Sequence, residues 1–402
     1  MVRLLLIADD FTGALDSSIF FATKGIPTVV ELSPDFSWEE LSENTQILAI
    51  NSASRHMPAE RAAACVRRIA DEAKRRNVGI IFKKIDSALR GNPGSELAAV
   101  LDSPREQQLF LLPAYPDGGR VTNRGLQLWN GTPISETTYR DDPLEPVLES
   151  NIKRILQQQT SIPISEVARD AELPDRTGIL VLDADTNERI LWRCRQILQL
   201  PKPIFFGGCA GLSAALAQAL YPAARRAAVP IPKLPLIVVS GSLHPVSVAQ
   251  MAFGRSLGLP YYSLRLDREL SPSFFGTDAG MEWLRTARRE LASKRVLLLE
   301  TARTGAFADS GTYDAVSRRI ASLLTHIYSP EQPAALAVFG GDTLLEVAAA
   351  LLSGGMLPQY EVERGVPLAL ASDKYGHVIP LISKSGGFGT ERVIETLLET
   401  MR

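Results

Sequence analysis

Cysteine is scarce in this chain of 402 residues, with three in all: Cys65, Cys194 and Cys209. Being odd in number, far apart and outside any CxxC or Cys–His spacing, they argue against a disulfide framework and against a zinc site, and they fit a reducing cytoplasm. No stretch approaches the ~20 consecutive apolar residues of a membrane span. The opening Met1–Ala8 has one positive charge and an apolar run too short for a secretory leader, so it reads as a first strand. A dominant charge is missing as well. Lys plus Arg is 43 against 45 Asp plus Glu, a net −2, which provides no global field for a nucleic-acid backbone. Neither GxxxxGK[ST] nor a GxGxxG opening a βαβ unit occurs. That disfavours an ordinary P-loop fold and counts against an NAD-linked dehydrogenase. Internal repeats and low-complexity tracts are absent too.

What is present is a balanced globular composition, 45% apolar and 22% charged, in a chain long enough for two domains. Short β-branched or leucine-rich runs at Arg3–Ala8, Ile47–Ile50, Gly79–Lys83, Leu109–Leu112, Gly178–Leu182 and Pro203–Phe206 alternate with helical patterns such as Ala59–Asn77 and Gly211–Leu220. This predicts βα units and a parallel sheet. The segment Gly118–Ala171 breaks the rhythm and reads as a long excursion from the sheet. Three prolines, Pro230, Pro232 and Pro235, mark a linker, after which the alternation restarts at Leu236–Val239, Val296–Glu300, Ala334–Phe339 and Leu368–Ala371. The expectation is two α/β domains, 1–229 and 236–402, joined by a linker at 230–235. Each has a mostly parallel sheet flanked by helices, with an active-site cleft between them.

In open α/β sheets ligands gather at the carboxyl ends of strands. Asp9-Asp10-Phe11-Thr12-Gly13 follows the first strand there, and either acid can hold a hydroxyl, act as a base or cap the next helix. Lys83-Lys84-Ile85-Asp86-Ser87-Ala88-Leu89-Arg90-Gly91 follows another. Arg90 has a planar fork suited to a carboxylate or phosphate, and Asp86 a carboxylate suited to a substrate hydroxyl. Arg55 is a second candidate anion clamp. In the second half, three small-residue turns follow strands: Ser240-Gly241-Ser242, Gly340-Gly341-Asp342-Thr343 and Lys384-Ser385-Gly386-Gly387. Turns of this kind bring backbone N–H groups to a phosphate at a helix N-terminus.

Taken together these segments resemble the four-carbon acid sugar kinase family, which covers threonate, erythronate and 3-oxo-tetronate kinases. The likeness runs the length of the chain. Besides the motifs above it includes Pro113-Ala114-Tyr115-Pro116, Gly119-Arg120, Gly125–Leu128, Asn130-Gly131 and Asp142-Pro143-Leu144. The resemblance implies ATP-dependent phosphorylation of the terminal hydroxyl of a four-carbon aldonate. It assigns Asp9, Asp10, Arg55, Lys84, Asp86, Arg90 and Gly91 to the sugar acid, and Ser240, Ser242, Gly340, Gly341, Asp342, Thr343, Lys384 and Gly386 to ATP. Asp86, Asp10 and Arg90 are the catalytic candidates. Mg²⁺ accompanies ATP, and no dedicated metal ligands are assigned. Sugar acid and ATP are the implied partners, without nucleic acid or membrane, and homo-oligomer formation is left open. The chain departs from the family pattern at Ala88, Leu243-His244, Leu344-Leu345 and Gly387. An alternative is a nucleotide or metabolite sensor that kept the fold without turnover, or a kinase of another small hydroxy acid.

Overall fold

A computed structural model describes residues 1–101, 107–142, 145–223, 229–301 and 310–402, with backbone alone at 310–314. Pro143 and Leu144 lie outside the described residues. The chain forms two compact units, Met1–Ala227 and Ala228–Arg402.

The first unit contains β1 (Leu4–Ala8), α1 (Phe11–Ala22), β2 (Thr28–Glu31), β3 (Ile47–Asn51), α2 (Ala59–Arg75), β4 (Ile80–Lys84), α3 (Pro93–Val100) and β5 (Gln108–Leu112). Then come β6 (Arg120–Asn123), β7 (Leu126–Trp129), β8 (Thr132–Pro133), α4 (Ile152–Gln157), β9 (Ile164–Val167), β10 (Gly178–Leu182), α5 (Asn187–Ile197), β11 (Ile204–Gly208) and α6 (Ala210–Leu220). Its main sheet runs β2-β3-β1-β4-β11-β5-β10-β9, parallel at every pairing. Strands such as Leu4–Ala8, buried at every position, are the continuous apolar runs that a sheet covered on both faces requires. Helix α2 shows why the faces are covered. Ala62, Val66, Ile69, Ala70 and Ala73 recur at helical spacing and are buried, while the charged residues among them face outward. One core layer joins Val66, Ile69, Ala70 and Ala73 to Leu5, Ile7, Leu48, Ile50 and Ile81 from the sheet.

The segment expected as an excursion is more ordered than its composition suggested. It folds into a small antiparallel sheet, β6-β7-β8, and then returns β9 to the edge of the main sheet.

The second unit contains β12 (Leu236–Ser240), α7 (Pro245–Ser256), β13 (Tyr261–Leu264), α8 (Asp278–Lys294), β14 (Val296–Thr301), α9 (Ser310–Ile327), β15 (Ala335–Phe339), α10 (Gly341–Leu351), β16 (Leu352–Glu363), β17 (Val366–Asp373), β18 (Val378–Lys384) and α11 (Val393–Met401). The strand order is β13-β14-β12-β15-β18-β17-β16. From β13 to β18 the pairings are parallel. The run Leu368–Ala371, read as one more βα repeat, lies instead in β17, antiparallel to both neighbours. Gly365 and Gly376, at φ +71° and +89°, sit in the two turns of this meander and supply a backbone conformation that disfavours side chains. Among the described residues no helix is long and apolar enough to cross a membrane.

Candidate functional site

The parallel register of the first unit brings four strand ends level. Ala8 pairs with Asn51 and with Lys84, and Lys84 pairs with Gly208. The segments leaving β1, β3 and β4 therefore meet at one edge, and the charged residues singled out in the sequence converge there.

Arg55 is their hub. Its Nε donates to Asp9 Oδ2 at 2.8 Å and its Nη1 to Asp10 Oδ2 at 2.9 Å, while Nη2 stands 3.9 Å from Asp86 Oδ1. Arg90 grips Asp86 with both prongs, Nε to Oδ2 and Nη2 to Oδ1, each at 2.9 Å, and extends Nη1 to Asp142 Oδ2 at 2.8 Å. The backbone N–H of Ala88 also donates to Asp86, at 3.1 Å. Asp10 has a second duty as the N-cap of α1, accepting from Gly13 N at 3.0 Å. Gly91 packs against the Arg55 backbone, and Asn92 donates to the carbonyls of Ser54, Arg55 and Met57, which fixes the Arg55 loop on α3.

Burial opposes ionisation of Asp86, yet the Arg90 guanidinium, with Arg55 and Lys84 behind it, holds its carboxyl far below the usual carboxylate range. Burial acts on Asp9 in the same way, and Arg55, Lys83 and Lys84 overcome it to lower that carboxyl too. Burial also disfavours charge on Lys84, but Asp16, Asp10 and Asp9 outweigh it and raise the ammonium. The cluster is thus a set of ionised partners, and neither arginine holds its fork open. Asp9 Oδ1 and Thr12 Oγ1 are buried without a hydrogen-bond partner among the described residues, an acceptor and a hydroxyl that a polyhydroxy ligand can satisfy.

Beneath the cluster lies a layer the sequence reading did not assign. Lys83 is fully buried, pairs with Glu96 Oε2 at 3.1 Å and donates to Lys84 O at 2.8 Å. Glu96 accepts from Ser54, whose hydroxyl touches that of Ser52, which in turn donates to Ala8 O at 2.7 Å. This chain of bonds ties α3 to the ends of β1 and β3. Glu96 sits on a helix at a position that local pattern marks only as polar. Asp142, 52 residues from Arg90, was legible only as part of a motif.

In the second unit the same logic gathers three turns. Ser240 pairs with Phe339 and Phe339 with Lys384, so the segments after β12, β15 and β18 leave adjacent parallel strands side by side. Gly340 takes φ +115°, a conformation that disfavours a side chain, and donates from N to Lys384 O at 2.9 Å. Helix α10 starts at once, with Asp342 exposed and Thr343 buried against Ser317 (Oγ1 to Oγ, 3.3 Å). Ser242 accepts from His244 N at 3.3 Å, and His244 caps α7 through Val246 N at 3.2 Å. Ser240 is completely buried, its Oγ without a partner among the described residues. Two helix N-termini therefore border turns of small residues, which is a ready anion cradle.

Lys384, expected beside ATP, turns inward. Its Nζ donates to Ser247 Oγ at 2.9 Å, Gly386 O at 3.0 Å and Ser385 O at 3.1 Å, and lies 4.8 Å from the centre of the Phe339 ring. Burial pushes this ammonium down to about 8. The geometry makes it the clamp of the Ser385–Gly386 turn. Among the described residues no group of three or more His, Cys, Asp or Glu could hold a metal ion.

Comparison with known proteins agrees with this division. A family model for a sugar-binding N-terminal domain matches residues 4–216, and one for a nucleotide-binding C-terminal domain matches 237–394. The chain is 29% identical to a D-threonate kinase of Salmonella typhimurium, covering 98% of this chain and 97% of that one. It is 31% identical to a D-threonate kinase of Cupriavidus necator over 97% and 96% of the two chains. It is 27% identical to a 3-oxo-tetronate kinase of Brucella melitensis over 97% and 94%. Among solved structures, a Haemophilus influenzae protein of a domain-of-unknown-function family superposes with TM-score 0.78 at 23% identity, over 99% of this chain and 100% of that one. At that identity the likeness speaks for the fold alone.

Proposed function

Because the chain belongs to the four-carbon acid sugar kinase family, we propose that it transfers the γ-phosphate of ATP to the terminal hydroxyl of a four-carbon sugar acid: threonate, erythronate or 3-oxo-tetronate. The observation that carries this reading is the full-length likeness to kinases of those acids, joined to an ionised aspartate cluster in the sugar-binding unit.

Asp86 and Asp10 orient the attacking hydroxyl. Each carboxylate is held by an arginine, and acceptor capacity remains on both oxygens of Asp10 and on Oδ1 of Asp86, Oδ2 of Asp86 being fully engaged. The low proton affinity of Asp86 makes orientation its first task. Phosphoryl transfer tolerates this, because its loose transition state needs positioning and charge stabilisation more than early deprotonation. The hydroxyl oxygen bonds to the γ-phosphorus, the bond to the bridging oxygen breaks, ADP leaves with that electron pair, and the hydroxyl proton passes to Asp86 or Asp10.

In the nucleotide-binding unit the turns at Ser240–Ser242, Gly340–Thr343 and Lys384–Gly386 receive the phosphates. Mg²⁺ bound with ATP would supply the charge neutralisation that phosphoryl transfer requires. With no protein cage for it among the described residues, exposed Asp342 is the side chain suited to contact its water shell.

The test is ADP release by the purified protein over D- and L-threonate, D- and L-erythronate and 3-oxo-tetronate. Turnover with at least one acid is expected. Binding of acid and ATP without ADP release would replace the kinase with a sensor.

A further inference from the structure

The sugar-binding unit carries another arginine near the same edge, and the ion-pair cluster does not use it. Arg120 opens β6 directly after the turn at Pro116–Gly119, its backbone paired with Tyr115 in both directions at 2.8 and 3.0 Å. Its guanidinium is fixed in place. Nη1 donates to Gly118 O at 2.9 Å, Nη2 donates to the Tyr139 hydroxyl, and the group lies 5.6 Å from the ring centres of both Trp129 and Tyr139. A Cβ on Gly118 would stand 2.8 Å from Nη1, so the folded-back arginine needs glycine there. Among the described residues its Nε is buried with no hydrogen-bond partner, and no carboxylate pairs with the guanidinium.

Arg55 and Arg90 are its opposites, each engaged on two aspartates. Arg120 is nonetheless their neighbour. Arg90 lies over the same Tyr139 ring, at 5.5 Å. The charges of Arg120 and Lys84 also both act on the Cys209 thiol just past the end of β11, which burial pushes up to about 11 against their pull.

We propose that Arg120 recognises the carboxylate of the sugar acid, which makes it the residue that separates acids from neutral polyols. The inference rests on the sugar-acid reading above. A guanidinium fixed by two hydrogen bonds beside two aromatic rings loses little freedom on binding. Its unused Nε–H, with a remaining N–H on an adjacent Nη, forms the fork that matches a carboxylate. The ligand oxygen also satisfies a donor that the folded chain leaves buried and unpaired.

The experiment measures KM and kcat for the preferred acid, and the inhibition constant of the corresponding tetritol as a neutral competitor, in wild type, Arg120→Gln and Arg120→Lys. The expected result for Arg120→Gln is an acid KM raised about 100-fold or more with kcat within about tenfold, the signature of lost uniform binding, while tetritol inhibition and ATP affinity stay near wild type. Arg120→Lys, which keeps the charge over the rings but not the fork, is expected to fall between, and it carries the test if the glutamine variant does not fold. If tetritol does not compete, the acid KM alone is read. Unchanged acid KM in the folded variants, with an active wild type, overturns this inference and leaves the kinase reading standing. A wild type that turns over no four-carbon acid overturns both.

Discussion

Asp86 illustrates how much one carboxylate can depend on its partners. It accepts both prongs of Arg90 and the Ala88 N–H, and it faces Arg55. Asp86→Asn keeps the shape and removes the charge, so kcat is expected to fall by about 100- to 10,000-fold, as steady-state ADP release would show. Arg90→Ala strands Asp86 and Asp142 and should also destabilise the fold by about 2–5 kcal/mol in urea unfolding. The same cluster predicts a pH dependence. Asp9 and Asp86 ionise more readily folded than unfolded, so their contribution is complete above the unfolded carboxylate value of about 4 and declines as pH falls below it. Wild type should lose stability more steeply below about pH 4 than Asp86→Asn. Equal slopes would remove Asp86 from the network. Asp86 and Arg90 were readable in advance as charged groups offered to a ligand, though not as each other's partners, because a charged loop directly after a buried strand has few other uses. Asp142 was not, since its partner lies 52 residues away and nothing local marks the contact.

Helix starts and strand order decide the second unit. Gly340→Ala forces a side chain onto φ +115° at the entry to α10, which costs about 1–3 kcal/mol and displaces the first turn. Calorimetric titration is expected to show ATP binding weakened about tenfold or more, with acid binding unchanged. Lys384 offers a test of the same slope as the aspartates in a higher pH window, although here it is the neutral form that the fold favours. Its folded value of about 8 lies below the unfolded ~10.4, so the unfolded chain holds the extra proton in that window and stability rises with pH there. Lys384→Met should flatten that rise in denaturation curves between pH 8 and 10. Two departures from the family pattern also meet in space, for a Cβ on Gly387 would lie 3.4 Å from the His244 ring that caps α7. Sequence reading saw them as separate changes. It also took β17 for one more parallel strand. Its apolar run suits either direction, and only the short glycine turns at 365 and 376 signal reversal.

Across the whole chain the two ligands should be separable by thermal shift. At about 100 times its Kd a ligand adds about 2.7 kcal/mol of stability, or roughly 5–10 °C for units of this size. Arg90→Ala is expected to lose the shift with sugar acid and keep that with a non-hydrolysable ATP analogue, and Gly340→Ala to do the reverse. If either variant lost both shifts, the assignment of one ligand to each unit would fail. The βα alternation, the strand-end position of the charged loops and the small-residue turns were all legible in the amino-acid order, because burial period and turn chemistry are local properties. Folding alone decided which of those groups are already committed. The turn at Gly340 keeps its place beside a helix N-terminus, but Lys384 is drawn inward to its own loop, and Arg55 and Arg90 are closed on aspartates that parallel strands bring level. Arg120, present in the sequence only as part of a Gly-Arg motif with no role of its own, is left with a buried N–H to offer. Ion pairing and burial act between residues far apart in the chain, and their outcome exists only once the strands are in register.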